Sequence, residues 1–151
     1  MYQYKTLSNG IKVVAEKIDY LKSISIGVWV GNGSRYENKE VNGISHFIEH
    51  MLFKGTGRRS ANDISMETAF LGGNLNAYTS KEDTSFYVRT LPEYLPKAID
   101  LISDMICNSA IPEEELEREK SVVCEEIDMY KDSPDDYLHE CLQKNIWKNH
   151  S

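Results

Sequence analysis

No apolar run in this sequence approaches the ~20 residues a helix needs to cross a bilayer. No basic stripe marks a nucleic-acid surface either. Lysine and arginine total 17 against 24 acidic residues, a formal charge of −7. That balance excludes nucleic acid as an expected partner and favours cationic ones. Cysteine is scarce: Cys107, Cys124 and Cys141 form no CxxC pair. Their odd number and apolar helical surroundings predict buried, reduced thiols in a cytoplasmic compartment. The opening Met1-Tyr2-Gln3-Tyr4-Lys5 lacks the pattern of a secretory or transit segment. Repeats, linkers and low-complexity stretches are missing as well. What is present is the raw material of a core, with 40% hydrophobic and 10% aromatic residues in 151.

Residues 11–16 and 23–30 are expected to be strands. In the second, Ile24, Ile26, Val28 and Val30 alternate with smaller or polar neighbours. Asn9-Gly10 marks a turn before the first. A helix is expected from Gly43 to about Phe53, anchored by an apolar stripe of Phe47, Ile48, Met51 and Leu52. A second spans about 61–71, opened by Ser60 with Asp63 as a capping box and closed by Gly72-Gly73. Residues 74–79 and 84–90 read as strands joined by a polar turn. Three helices follow, at about 92–107, 112–130 and from Pro134 onward. Strands and helices segregated in this way predict an α+β fold, with helices packed on a mainly antiparallel sheet. No strand follows the last helix to complete the sheet, so a truncated domain is expected over 1–151.

The chemistry concentrates in His46-Phe47-Ile48-Glu49-His50. Helical residues four apart lie about 40° apart in projection, so both imidazoles leave one face, and Glu49 lies about 60° to the other side of His46. Such a motif is expected by chance roughly 0.01 times in a chain of this composition. Two neutral imidazoles this close suit Zn²⁺, and a carboxylate beside them can take a proton from water. A catalytic zinc needs a third protein ligand. The helix over 112–130 holds many carboxylates, most of which belong to a solvated face. With Leu116, Val122, Val123, Ile127 and Tyr130 taken as its buried side, Glu119 lies about 40° and Glu126 about 60° from the centre, whereas Glu125 faces water. Glu126 is therefore the expected third ligand. Glu119 is the expected support for an imidazole, as metal-bound histidine generally requires. His139 and His150 are assigned no role.

These residues resemble the pitrilysin/insulinase family of zinc metallopeptidases, in which the glutamate precedes the second histidine. The sequence is similar to the bacterial, processing-peptidase-like branch. The matching stretches are GISHFIEHMLFKGTG from Gly43, GGNLNAYTSKEDTSFY from Gly72 and EKSVVCEEIDMY from Glu119. The resemblance implies one zinc per chain held by His46, His50 and Glu126, Glu49 as general base, and Glu119 as the supporting carboxylate. It implies that peptide joins a sheet edge as an added strand, with Asn76, Ala77 and Tyr78 as contacts, although the residues alone leave an interior strand equally open. It also implies a longer protein, with a second half that encloses the substrate and contributes an Arg–Tyr pair. The expectation for this chain is a zinc-competent N-terminal part, weakly active or inactive alone. Its open apolar surface would favour a homodimer or strand exchange. Two other readings remain: a peptide-binding or assembly subunit without turnover, and a structural zinc site.

Overall fold

Alternation and turn chemistry set the strands. The computed structural model describes residues 2–148. Tyr2–Thr6 (β1) and Lys12–Glu16 (β2) pair antiparallel, with Tyr2 opposite Glu16 and Thr6 opposite Lys12. Between them the Leu7 N–H donates to the Ile11 carbonyl at 2.8 Å, and Gly10 takes φ +90°. β1 is absent from the sequence reading. Its Tyr and Thr favour strand, but among the described residues nothing covers the ribbon: every residue of both strands is exposed.

Ile24–Val30 (β3), Asn74–Thr79 (β4) and Thr84–Thr90 (β5) form a second antiparallel sheet in the order β3-β5-β4. β5 lies in the middle. Its Phe86 and Val88 turn to the inner face and are buried, while Tyr87 and Arg89 turn outward. β4 is an edge among the described residues. The alternation expected for β3 is present but only partly covered: Ile24 and Ile26 are half-buried, whereas Val28 and Val30 are exposed.

The helices are Ile44–Met51 (α1), Ala61–Phe70 (α2), Leu95–Cys107 (α3), Glu113–Asp132 (α4) and Pro134–Ile146 (α5); α1, α2 and α3 pack against the sheet, α4 packs on α1, and α5 on α4. The expected α+β class is observed. Leu52, Ile64, Leu71, Phe86, Val88, Ala98, Leu101, Ile102 and Met105 form one apolar cluster. The capping box of α2 forms: the Asp63 N–H donates to Ser60 Oγ at 3.2 Å, and the Ser60 N–H to Asp63 Oδ2 at 2.9 Å. Gly72, at φ +59°, turns the chain into β4, and a Cβ at Gly73 would meet the Arg89 carbonyl oxygen at 2.2 Å.

The loop after α1 is tied to α3 by Asp104, which is almost wholly buried. Its carboxylate accepts hydrogen bonds from Thr56 Oγ1 and Arg59 Nη1 at 2.7 Å, and from Arg58 Nε and Asn108 Nδ2 at 3.0 Å. The Thr56 hydroxyl first, and then the guanidiniums, hold the carboxyl well below the usual range against the opposing effect of burial. Arg59 also reaches Asp100 and Glu67.

Two expectations are corrected here. The thiols are not buried: Cys107 and Cys124 are exposed and Cys141 is partly covered. Cys107 falls on the last turn of α3, and Cys124 on the side of α4 turned away from α1. The stripe anchoring α1 is also different. Met51 and Leu52 are buried and Phe47 is half-buried, but Ile48 is exposed, and Ser45 and Glu49 take its place beneath the helix. No helix among the described residues is long and apolar enough to cross a membrane. His139 is exposed on α5, and His150 lies outside the described residues.

Candidate metal centre

Gly43 stands at the N-cap of α1; its φ of +89° suits glycine, and its missing side chain leaves the helix without a local cap. Glu37 supplies the cap from upstream. Its Oε2 accepts from the Gly43 N–H at 2.6 Å and its Oε1 from the Ser45 N–H at 2.8 Å. A carboxylate bonded to free N–H groups at a helix start is favoured by the macrodipole as well. Burial raises the Glu37 carboxyl, but the backbone bonds from Ser45 and Gly43, the Ser45 side chain and the Lys81 charge together hold it below the usual range.

From that clamped start, His46 and His50 project one turn apart. Their rings meet edge-on with centroids 4.5 Å apart, and their Nε2 atoms are 3.2 Å apart. Glu126 arrives from α4, its Oε2 lying 3.5 Å from His50 Nε2 and 3.8 Å from His46 Nε2. One ligand atom from each of these residues fits within a 4.8 Å cluster, and all three residues are partly buried. The expected trio is thus brought together by two helices far apart in sequence.

The arrangement fits a cation. His50 Nδ1 lies 2.9 Å from Glu119 Oε1. A neutral imidazole that donates from Nδ1 keeps its lone pair on Nε2. That lone pair, the facing His46 nitrogen and a carboxylate oxygen all converge, and they are complementary to a positive ion rather than to one another. Donors about 2.0–2.1 Å from a tetrahedral zinc lie about 3.3 Å apart. The imidazole pair matches that separation, and the glutamate oxygen lies a little beyond it.

Glu119 is nearly buried, at 4% exposure. Its second oxygen, Oε2, receives Lys54 Nζ at 2.5 Å. Burial raises its carboxyl, and the hydrogen bonds from Lys54 and His50 outweigh that and hold it low. The expected centre of the buried side of α4 is corrected. Val122, Ile127 and Tyr130 are exposed, and the side turned to α1 is Leu116, Glu119, Val123 and Glu126. These four span about 80° of helical arc. Glu119 and Glu126 lie on this face rather than on its flank.

Glu49 does not sit on an open polar face. It points under α1 towards β4 and is only 9% exposed. Thr79 Oγ1, at the end of β4, donates to its Oε2 at 2.5 Å. On β4, Asn76 and Tyr78 face outward and Ala77 faces inward. The Ala77 N–H is met by its neighbour's side chain, Asn76 Oδ1, at 2.9 Å. Glu37, Lys54 and Thr79 are missing from the sequence reading. Each acts through tertiary contact, and only the place of Lys54 just past the motif hints at proximity.

The sequence model described as Insulinase (Peptidase family M16) matches residues 12–151. Over 151 residues the chain is 48% identical to a Bacillus subtilis protein named an uncharacterized zinc protease, covering 100% of this chain and 37% of that one. Over 147 residues it is 40% identical to the mitochondrial-processing peptidase subunit beta of Mus musculus, covering 97% of this chain and 30% of that one. A solved protease from Helicobacter pylori superposes with a TM-score of 0.87 at 30% identity, covering 92% of this chain and 34% of that one. The chain therefore spans about a third of the length of these relatives.

Proposed function

Since the chain belongs to the insulinase family of peptidases, M16, we propose that it is the zinc-holding part of a metalloendopeptidase of the processing-peptidase type. The observation that carries this reading is the convergence of His46, His50 and Glu126 on one point. Zinc bound there supplies a Lewis acid that polarises a carbonyl oxygen and acidifies water near neutral pH.

The chain's own residues supply the rest. His46, His50 and Glu126 hold one ion per chain and leave a fourth position open. Glu119 fixes the His50 ring through Nδ1. Glu49 takes a proton from the attacking water on a carboxylate oxygen and returns it to the departing amine. The Thr79 hydroxyl occupies Glu49 Oε2, which leaves Oε1 as the oxygen that carries the proton. Peptide adds to β4 as a further strand, with Asn76, Ala77 and Tyr78 as contacts. The edge position of β4 among the described residues supports this, and so does an Ala77 N–H that bonds to the Asn76 side chain, which an incoming strand can displace. Alone, the chain is expected to hold zinc and to cleave peptides weakly or not at all. The uncovered apolar residues of β3, Val28, Trp29 and Val30, favour self-association of the isolated chain.

Glu49→Gln in the full-length protein tests the reading. Zinc content should persist while peptide hydrolysis disappears. Unchanged turnover would end the general-base role, and a structural zinc site predicts that outcome. A peptide-binding subunit without turnover predicts no hydrolysis even in the unaltered protein.

A further inference from the structure

Lys54 stands just past α1, where its own N–H donates to the Met51 carbonyl at 3.0 Å as the chain leaves the helix. Its ammonium ends against Glu119 Oε2 at 2.5 Å, while His50 Nδ1 lies 2.9 Å from Glu119 Oε1. The two residues are four apart in sequence and meet opposite oxygens of one carboxylate. A carboxylate held at one oxygen can still rotate about its last torsion; held at both it is fixed. Burying it without a cation would also be costly. Lys54 is itself only 26% exposed, so the pair is largely shielded from solvent.

The consequence reaches beyond Glu119. Glu126 lies seven residues further along α4, two turns and about 10.5 Å up the same helical face. Its position at the metal point depends on how α4 is rotated and set against α1. A metal site needs its ligands within about 0.5 Å and 10–20° of the working geometry. Among the described residues, the Lys54–Glu119–His50 bridge ties α4 to α1 and the turn that follows it, beside the contacts of the metal ligands themselves. We propose that Lys54 is a positioning residue of the metal centre: acting through Glu119, it fixes the His50 ring and sets the register of α4 that carries Glu126 to the ion. The inference rests on the zinc reading and adds a residue to it.

The test measures zinc affinity of the full chain by competition with a chromophoric chelator. The proteins are the unaltered chain, Lys54→Met, Glu119→Gln and the double variant, with circular dichroism of each metal-free protein as the folding control. Lys54→Met should weaken zinc binding about 10–100-fold, the range seen when a partner of a ligating histidine is lost. Glu119→Gln should weaken it by a similar factor. Because Lys54 works through Glu119, the double variant should be no weaker than the worse single one. If Lys54→Met does not fold, Lys54→Gln, which keeps an N–H donor without charge, replaces it in the same cycle. Affinity within twofold of the unaltered chain overturns the proposal, and so do effects that multiply in the double variant. An unaltered chain that holds no zinc overturns the metal reading as well, so the two failures are told apart by the first protein in the series.

Discussion

Replacing Glu37 with alanine removes both hydrogen bonds that cap α1 and leaves two backbone N–H groups to find other partners. Their fates differ. Gly43 is exposed, so its N–H regains water and little is lost there. Ser45 is buried, and its N–H, now 2.8 Å from a carboxylate oxygen, would be stranded. A hydrogen bond to a charged group contributes about 1.5–3 kcal/mol, and an unsatisfied buried donor costs a comparable amount. Ordinary helix caps lie at about 0.5–2 kcal/mol. Releasing the buried carboxylate to water offsets part of the loss. The expected fall in unfolding free energy is about 2–4 kcal/mol for Glu37→Ala. Glu37→Gln keeps one acceptor oxygen without the charge and should lose about half as much. Urea unfolding of the metal-free chain, followed by circular dichroism, measures both. Since Ser45 directly precedes His46, zinc affinity should fall with stability. A loss under about 0.5 kcal/mol for Glu37→Ala would refute the clamp, because that is the range of an unconnected surface substitution.

Other consequences follow from the same contacts. His50→Ala should abolish stoichiometric zinc, and normal zinc content by metal analysis would refute its role as a ligand. Thr79→Val should keep zinc bound and slow hydrolysis in the full-length protein roughly tenfold or more, as expected for a lost hydrogen bond to a charged group; an unchanged kcat would count against it. Asp104→Asn should destabilise more than Asp100→Asn, because only Asp104 is buried under four donors; equal melting temperatures would contradict that ranking. Folded Glu37 and Asp104 hold their protons less tightly than their ordinary values of 4.5 and 3.8. The unfolded chain therefore binds more protons in acid, so their stabilisation is complete above those values and is lost as pH falls below them. Stability measured against pH should decline more steeply below pH 4.5 in the unaltered chain than in Glu37→Gln, and parallel curves would contradict the assignment.

The motif on α1 and the helix periods were legible in the sequence because they are local. His46 and His50 share a face by helical geometry alone, and Ser60 with Asp63 announces its own capping box. Glu119 and Glu126 were legible through their relative phase, since residues seven apart nearly eclipse. The centre of their face was not. Apolar residues are assumed to define a buried side, yet α4 turns two glutamates towards α1 and leaves Val122, Ile127 and Tyr130 exposed. A polar site inverts the usual rule, because its carboxylates are satisfied by His50 and Lys54. The same inversion places Glu49 under α1 against Thr79 and leaves Ile48 outside. The exposed cysteines reflect a similar limit, since apolar neighbours in sequence do not fix which side of a helix is covered.

The central claim is that two distant helices build one cation site. Anomalous diffraction at the zinc edge from zinc-loaded crystals tests it most directly. The account predicts a single peak per chain within about 2.0–2.2 Å of the Nε2 atoms of His46 and His50 and a carboxylate oxygen of Glu126. A peak bound to the cysteines, or one that leaves Glu126 out of coordination, would contradict it.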